Sequence, residues 1–366
     1  MKILRDHILR EFLGTFCSAL VSLLFIFLLG RGLVQMADLI FNKDLDAMLV
    51  ARLLALTLPF LLTFVIPMAV LVATLLTFGR LSSENEFNAM RASGVGLTRI
   101  TTPLFAAVMV ICLGSFLITD KVATTSHYEY RKLLTRIGLT NPAAALEEGT
   151  FIKKFDNFVI FIYEIEGNRL KGVRIYQPQP GKPTRTIVAE QGELIWQPGS
   201  NVIMIRLVHG TSDEPDPKDP SRLYKLNFKT YDLPLNMPIE GSTGMPGKKP
   251  KNMTVKELSD EIRRLGQDGI KATYPLSAEI HNKIAMSCSS LAFLLIGIPL
   301  GVRARRSERS IGLGISLVLM TLYWLLLIGG KTLAQKGMAP PFLSLQFSNF
   351  IVGGAGLALF FRLAGR

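Results

Sequence analysis

Three short stretches hold residues whose types and spacing suit chemistry. Gly330-Lys331-Thr332 matches the last residues of a phosphate-binding loop. Such a loop needs a glycine five positions before Gly330, where this chain has Leu325. It also needs a preceding strand, and this run closes an apolar segment instead, so nucleotide binding there is excluded. Glu279 and Lys283 stand four apart with His281 and Asn282 beside them. That spacing predicts an i,i+4 ion pair; the alternative is a proton relay inside a membrane. The other apolar segments carry no Asp, Glu or His in their middles, which argues against proton coupling. The third stretch is Gly79-Arg-Leu-Ser-Ser-Glu-Asn-Glu-Phe-Asn-Ala-Met-Arg-Ala-Ser-Gly94. Ser83 with Glu86 three residues on reads as a capping box, so a helix is expected to start near Ser83. Gly94 suits its C-terminal cap. At about ten residues, this helix is too short to span a bilayer. Phe87 and Met90 are three apart and share a face, while Glu84, Asn85, Asn88 and Arg91 supply polar contacts. Two readings stand: an ordinary connecting helix, or a docking helix that inserts into a partner.

Arg31 lies near the end of the first apolar segment, in Leu28-Leu29-Gly30-Arg31-Gly32. An arginine at that depth either snorkels to the interface or pairs. A guanidinium there also suits bidentate binding of a phosphorylated lipid headgroup. Lys43, Arg52, Arg131, Arg136 and Lys331 are further candidates for the same basic rim, each with a solvated charge as the plainer reading. No nucleophile elbow, paired membrane carboxylates or metal set stands out, so an enzyme such as a lipid-headgroup transferase is disfavoured. No Cys/His spacing suggests zinc, and no cofactor is called for. Cys17, Cys112 and Cys288 all fall in apolar segments and say nothing about redox compartment.

These residues must be positioned by six apolar segments, about 11–36, 51–78, 98–119, 276–301, 310–330 and 342–363. Each has the roughly 20 mostly apolar residues that a spanning helix needs. Phe16–Gly30 and Ile284–Val302 are apolar on every side, unlike a soluble surface helix. The expected domains are 1–119 with three membrane helices, 120–273 as a soluble insert, and 274–366 with three more. Pro59 and Pro67 interrupt the second span, which membrane helices tolerate. The first apolar stretch is too long for a cleavable signal peptide, and no small-residue cleavage site follows it.

Inside the insert, strands are expected at Thr150–Phe155, Phe158–Glu166, Gly172–Gln177, Thr186–Glu190, Glu193–Gln197, Val202–His209 and Leu223–Asp232. Pro178-Gln179-Pro180-Gly181 and Pro198-Gly199 punctuate them. The spacing suggests a sandwich, jellyroll or open barrel. Helices are expected at Tyr128–Leu139 and Thr254–Leu265, and Glu240–Asn252 reads as a flexible linker. Phe158, Ile160, Ile162, Ile175, Trp196, Ile203 and Ile205 face inward, either as a closed core or as the lining of a groove.

The net charge of +13 raises nucleic acid as a ligand, but its distribution argues for a membrane. The short loops and ends on one side carry Lys2, Arg5, Arg10, Arg80, Arg91, Arg99, Arg303, Arg305, Arg306, Arg309, Arg362 and Arg366. The positive-inside rule then makes both termini cytoplasmic and the insert extracytoplasmic. The insert holds 23 Lys/Arg and 19 Asp/Glu, a net of +4, with no basic stripe of the kind nucleic acid requires.

The Gly79–Gly94 stretch resembles the coupling-helix motif of the lipopolysaccharide export permeases LptF and LptG. The resemblance covers the whole chain: three helices, an extracytoplasmic β-jellyroll, three helices, and an Ile298-Pro299-Leu300-Gly301 end of segment four before an Arg-rich loop. It implies an α-helical membrane protein with six spans (3+3) and a periplasmic jellyroll, in the bacterial inner membrane. It implies a non-enzymatic permease subunit that pairs as an LptF–LptG heterodimer on a dimer of the ATPase LptB. That complex would extract lipopolysaccharide and pass it through stacked jellyrolls via LptC and LptA. The resemblance implies that Glu84 contacts the ATPase, with Glu86, Phe87, Met90 and Arg91 around it. It makes Arg31, Lys43, Arg136 and Lys331 lipid contacts at the outer rim, and Phe158, Ile160 and Ile162 lining of an acyl-chain groove. The Glu279-x-x-x-Lys283 and Ile-Pro-Leu-Gly patterns fit the LptF branch better than the LptG branch. A scaffold whose insert merely docks a periplasmic partner is the remaining rival.

Overall fold

The computed structural model describes residues 2–33, 46–140, 149, 151–155, 158–166, 169–179, 182–197, 202–215, 223–235, 248–267, 273–303 and 309–364. Helix α1 is Lys2–Phe27 and ends in a π-helical turn, Leu28–Leu33. Helix α2 is Ala47–Ser83, the short α3 is Glu86–Ala92, and α4 is Leu97–Leu117. A π-helical turn, Ile118–Ala123, carries α4 straight into α5, Thr124–Thr140. Helix α6 is Val255–Gln267, α7 is Tyr274–Arg303, α8 is Arg309–Gln335 and α9 is Pro341–Ala364. Among the described residues, six helices are long and apolar enough to cross a membrane, three before and three after a β-sheet insert in the sequence. The third does not stop at residue 119: its span runs Leu97–Thr135. The π turn absorbs the extra residue, and Asp120 finds partners there, so its charge does not end the helix.

Contacts divide the chain into two compact units, Met1–Tyr128 with Lys248–Arg366, and Glu129–Gly247. In the helical unit α2 and α7 are central: 72% of the most apolar window of each is buried, against 11% for α1. They approach closely through two glycines of α7 spaced four apart. A Cβ on Gly297 would lie 2.9 Å from Thr74, and one on Gly301 would lie 2.8 Å from the Phe78 Cβ. Small residues at this spacing let two backbones pack where hydrophobic burial no longer drives helices together. Polar groups join the next pair. Tyr323 of α8 donates to Asn349 Oδ1 of α9 at 3.0 Å, and Asn349 Nδ2 donates to the Ala285 carbonyl of α7 at 3.0 Å.

The other unit holds six antiparallel strands in sequential order: β1 Phe151–Phe155, β2 Phe158–Glu166, β3 Arg169–Gln179, β4 Lys182–Gln197, β5 Val202–Pro215 and β6 Leu223–Leu235. One line of residues crosses this sheet without ladder pairing: Tyr163, Gly172, Glu190, His209 and Lys229. Gly172 and His209 on that line take φ of 62° and 52°. This left-handed backbone region is open to glycine and uncommon for other residues. The inward parity changes across the line. Ile160 and Ile162 face the core before it on β2 and Ile165 after it; on β5, Ile205 and Leu207 give way to Ser212. The line is therefore a crease, and side chains from both halves enter one core.

The crease corrects the sequence expectations. The segments Thr186–Glu190 and Glu193–Gln197 are one strand, β4, whose alternation slips at Glu190-Gln191. The strand expected to end at His209 continues to Pro215, and the one expected to start at Gly172 starts at Arg169.

Candidate functional site

The helical unit has two polar regions at opposite ends. At the first, α2 runs through Ser83, which is no N-cap: its hydroxyl donates back to the Arg80 carbonyl at 2.9 Å. The expected capping box is absent because α2's own helical hydrogen bonding continues to Glu84, whose N–H reaches the Arg80 carbonyl at 3.0 Å. Asn85 instead caps α3, in the left-handed region at φ 57°. The chain leaves α3 through Gly94 at φ 79°, with Val95 N–H on the Met90 carbonyl and Gly94 N–H on the Arg91 carbonyl. Those two bonds make a Schellman motif, the end that Gly94 predicts.

Phe87 and Met90 share a face as expected, but that face is turned inward. Both are buried in a cluster with Ile8 and Phe12 of α1, Phe78 and Leu81 of α2, and Phe360 of α9. They anchor α3 to its own chain, and the exposed side carries Glu84, Asn85, Ala89 and Ala92. Five polar contacts extend the anchorage. Arg80 faces both carboxylate oxygens of Glu11 on α1 side-on, through Nε and Nη2, and lies 3.8 Å from Glu84. His7 on α1 lies 3.8 Å from Glu86. Arg91 donates to the Leu363 carbonyl at 3.3 Å, in the last turn of α9. Ser82 donates to the Val302 carbonyl at 2.8 Å, in the last turn of α7. Carbonyls in a last turn lack an intrahelical donor, so these side chains satisfy groups the helices leave open.

At the other end, the sequence pairing of Glu279 with Lys283 is not formed. Glu279 binds Lys331 of α8 at 2.7 Å, and Lys283 binds Asp120 at 3.1 Å. Each finds an opposite charge on a neighbouring helix, where burial makes a fixed partner worth more than a solvated i,i+4 contact. A cavity of ≈ 290 Å³ opens beside them. Phe60, Phe64, Trp324 and Leu327 supply apolar wall, and Lys251 and Lys331 supply charge. Trp324 Nε1 and Thr119 Oγ1, both lining it, are buried with no hydrogen-bond partner. An apolar wall with convergent polar groups suits an amphiphile.

The segment leading to α6 does form a capping box. Thr254 N–H donates to Glu257 Oε2 at 2.8 Å, and Glu257 N–H to Thr254 Oγ1 at 3.3 Å. Burial pushes the Glu257 carboxyl up, but Lys248 and the Thr254 donors outweigh it and hold it below its ordinary value.

Among the remaining candidates, Lys331 lines the cavity. Arg31 lies in the π turn and Arg136 on α5, with side chains outside the described residues, as is all of Lys43. Ile160, Ile162, Ile175 and Ile205 are fully buried in the sheet core, with Phe158 packed at its margin. The Trp196 and Ile203 side chains lie outside the described residues. Sequence reasoning missed Glu11, His7 and Asp120. Asp120 had a signal: it and Lys283 are opposite charges at matching ends of consecutive apolar segments.

The profile of a family described as "Lipopolysaccharide export system permease LptF/LptG" matches residues 6–362. The lipopolysaccharide export system permease protein LptF of Escherichia coli K12 is 24% identical over 364 residues, covering 94% of this chain and 91% of that protein. LptF of Shigella flexneri matches at the same identity and coverage. An uncharacterized protein of Rickettsia prowazekii, RP871, is 24% identical over 266 residues, 70% of this chain and 72% of its own.

Proposed function

The chain belongs to the lipopolysaccharide export permease family LptF/LptG, and from that premise we propose that it is one permease subunit of an ATP-driven lipopolysaccharide exporter, with α3 as its coupling helix. The observation that carries the reading is the fixing of α3. Its buried face and the residues flanking it grip α1, α7 and α9 as well as α2. A force applied to its exposed side reaches four helices at once. The force would come from a partner ATPase, LptB, acting at Glu84. Arg91, by holding α9, acts in transmission, and Phe87 and Met90 act as anchors. The charge pattern supports a cytoplasmic location for α3 and both termini, and a periplasmic one for the β-sheet insert.

The cavity at the other end supports lipid handling, with Lys331 among the groups that meet an anionic headgroup. Arg31, Lys43 and Arg136 complete this basic rim in the proposal. A paralogous permease completes the complex, and LptC and a jellyroll bridge receive the lipid. We assign the chain to the LptF branch, a reading supported by its curated relatives named LptF. The test is Glu84→Ala in the assembled complex. It is expected to lower co-purification of the ATPase, or to leave hydrolysis running with lipid export lost. Full export from an intact Glu84→Ala complex would refute the coupling role.

A further inference from the structure

Lys283 lines the cavity, but its charge is spent on the protein itself. It stands on α7 with its side chain 4% exposed. An ammonium group has three N–H donors, and all three are spent, two on the outgoing connection and one on the returning one. They go to Asp120 Oδ1 at 3.1 Å, Thr124 Oγ1 at 2.9 Å and the Met253 carbonyl at 2.5 Å. Asp120 belongs to the π turn after α4 and Thr124 opens α5; there the chain leaves the helical unit for the β insert. Met253 belongs to the segment by which the chain returns from the insert. Asp120 closes the loop of contacts: the same Oδ1 accepts the Val255 N–H, at the start of α6, at 2.7 Å. The return segment is held further by Asn252, whose Oδ1 lies 2.8 Å from His127 Nδ1, and by Lys251, whose Nζ lies 4.6 Å from the Phe60 ring centre.

We infer that Lys283 is a positioning residue that joins α7 to both connections of the insert, so that a displacement of α7 is delivered to the outgoing and returning chain together. The physical argument is the cost of slack. A buried ammonium that lets go of any one acceptor loses a charged hydrogen bond with no water to replace it. Small shifts of α7 are therefore followed by both connections rather than absorbed between them. Val302, one end of α7, is held by Ser82 beside the coupling helix, so one continuous helix links the two regions. This inference rests on the permease reading, which supplies the ATP-driven displacement.

The experiment compares hydrogen exchange in the complete complex with its ATPase, nucleotide-free and vanadate-trapped, and measures lipid released per ATP. In the parent, trapping is expected to change exchange in Val255–Gln267 and Tyr274–Arg303 together. Lys283→Met should confine the change to Tyr274–Arg303. Lipid released per ATP should fall about fivefold or more, with ATP hydrolysis retained. Lys283→Arg, which keeps the charge and several donors, should restore both. If Lys283→Met does not assemble, Asp120→Asn carries the same comparison. Trapping that still reaches Val255–Gln267 in the assembled variant overturns the inference. An ATP-dependent parent whose Val255–Gln267 never responds also overturns it and leaves the permease reading intact. A parent whose lipid release ignores ATP overturns the permease reading instead.

Discussion

Glu11 shows how much a single carboxylate contributes at the α3 end. It is the only acidic residue of α1 in contact with Arg80 among the described residues, and its side chain is 14% exposed. The pair is partly solvated, so its stabilisation is modest, about 1 kcal/mol. It ties α1 to the end of α2 that leads into α3. Glu11→Gln is expected to lower thermal stability slightly and lipid release per ATP more. Arg80→Ala should do the same, and the double variant should be no worse than either single. A double-mutant cycle on purified complex measures this, and additive losses would show that the two residues act apart. Neither charge was legible as a pair, because 69 positions separate them. Glu279 and Lys283 teach the converse: adjacency on one helix suggested a bond that tertiary packing assigned elsewhere.

At the scale of elements, the spans were readable because apolar length is a strong signal. The contact between α2 and α7 depends on the absence of side chains at two positions. Gly301→Leu is expected to destabilise the helical unit by about 1–3 kcal/mol through overpacking. Gly314, with nothing within 4 Å of a Cβ, is the control: leucine there should leave thermal unfolding nearly unchanged. Strand cores were readable too, but strand ends were not. Three misplaced ends fall at Gly172, Glu190 and His209, where alternation slips by one residue, whereas the start at Lys182 rather than Thr186 and the end at Leu235 rather than Asp232 fall at strand tips. A period of two identifies a strand only while the backbone keeps it. The short helix illustrates a different limit. Gly94 gave its end correctly, whereas Ser83 and Glu86 matched a capping pattern that α2 had already overrun.

For the whole molecule, the permease reading expects an insert between the third and fourth candidate spans to lie across the bilayer from the α3 end. Labelling decides the direction. In a chain with Cys17, Cys112 and Cys288 replaced by serine, Ser93→Cys and Glu164→Cys each place one exposed thiol. In intact cells an impermeant maleimide should reach the cysteine at 164 and spare the one at 93 until the membrane is opened. The reverse pattern would invert the topology and remove the basis for an ATPase at α3. The arginine distribution is what supplies that expectation; which charges are spent inside the protein was not legible, since that depends on burial.

The crease has a consequence for heredity. A single residue inserted within one strand between the crease and the strand's end would turn the remainder of that strand inside out, exposing its isoleucines and burying its charges. The same insertion at a strand's tip only lengthens a loop. Descent can therefore lengthen or trim this sheet along its margins, while the five positions on the crease must be inherited as one unit.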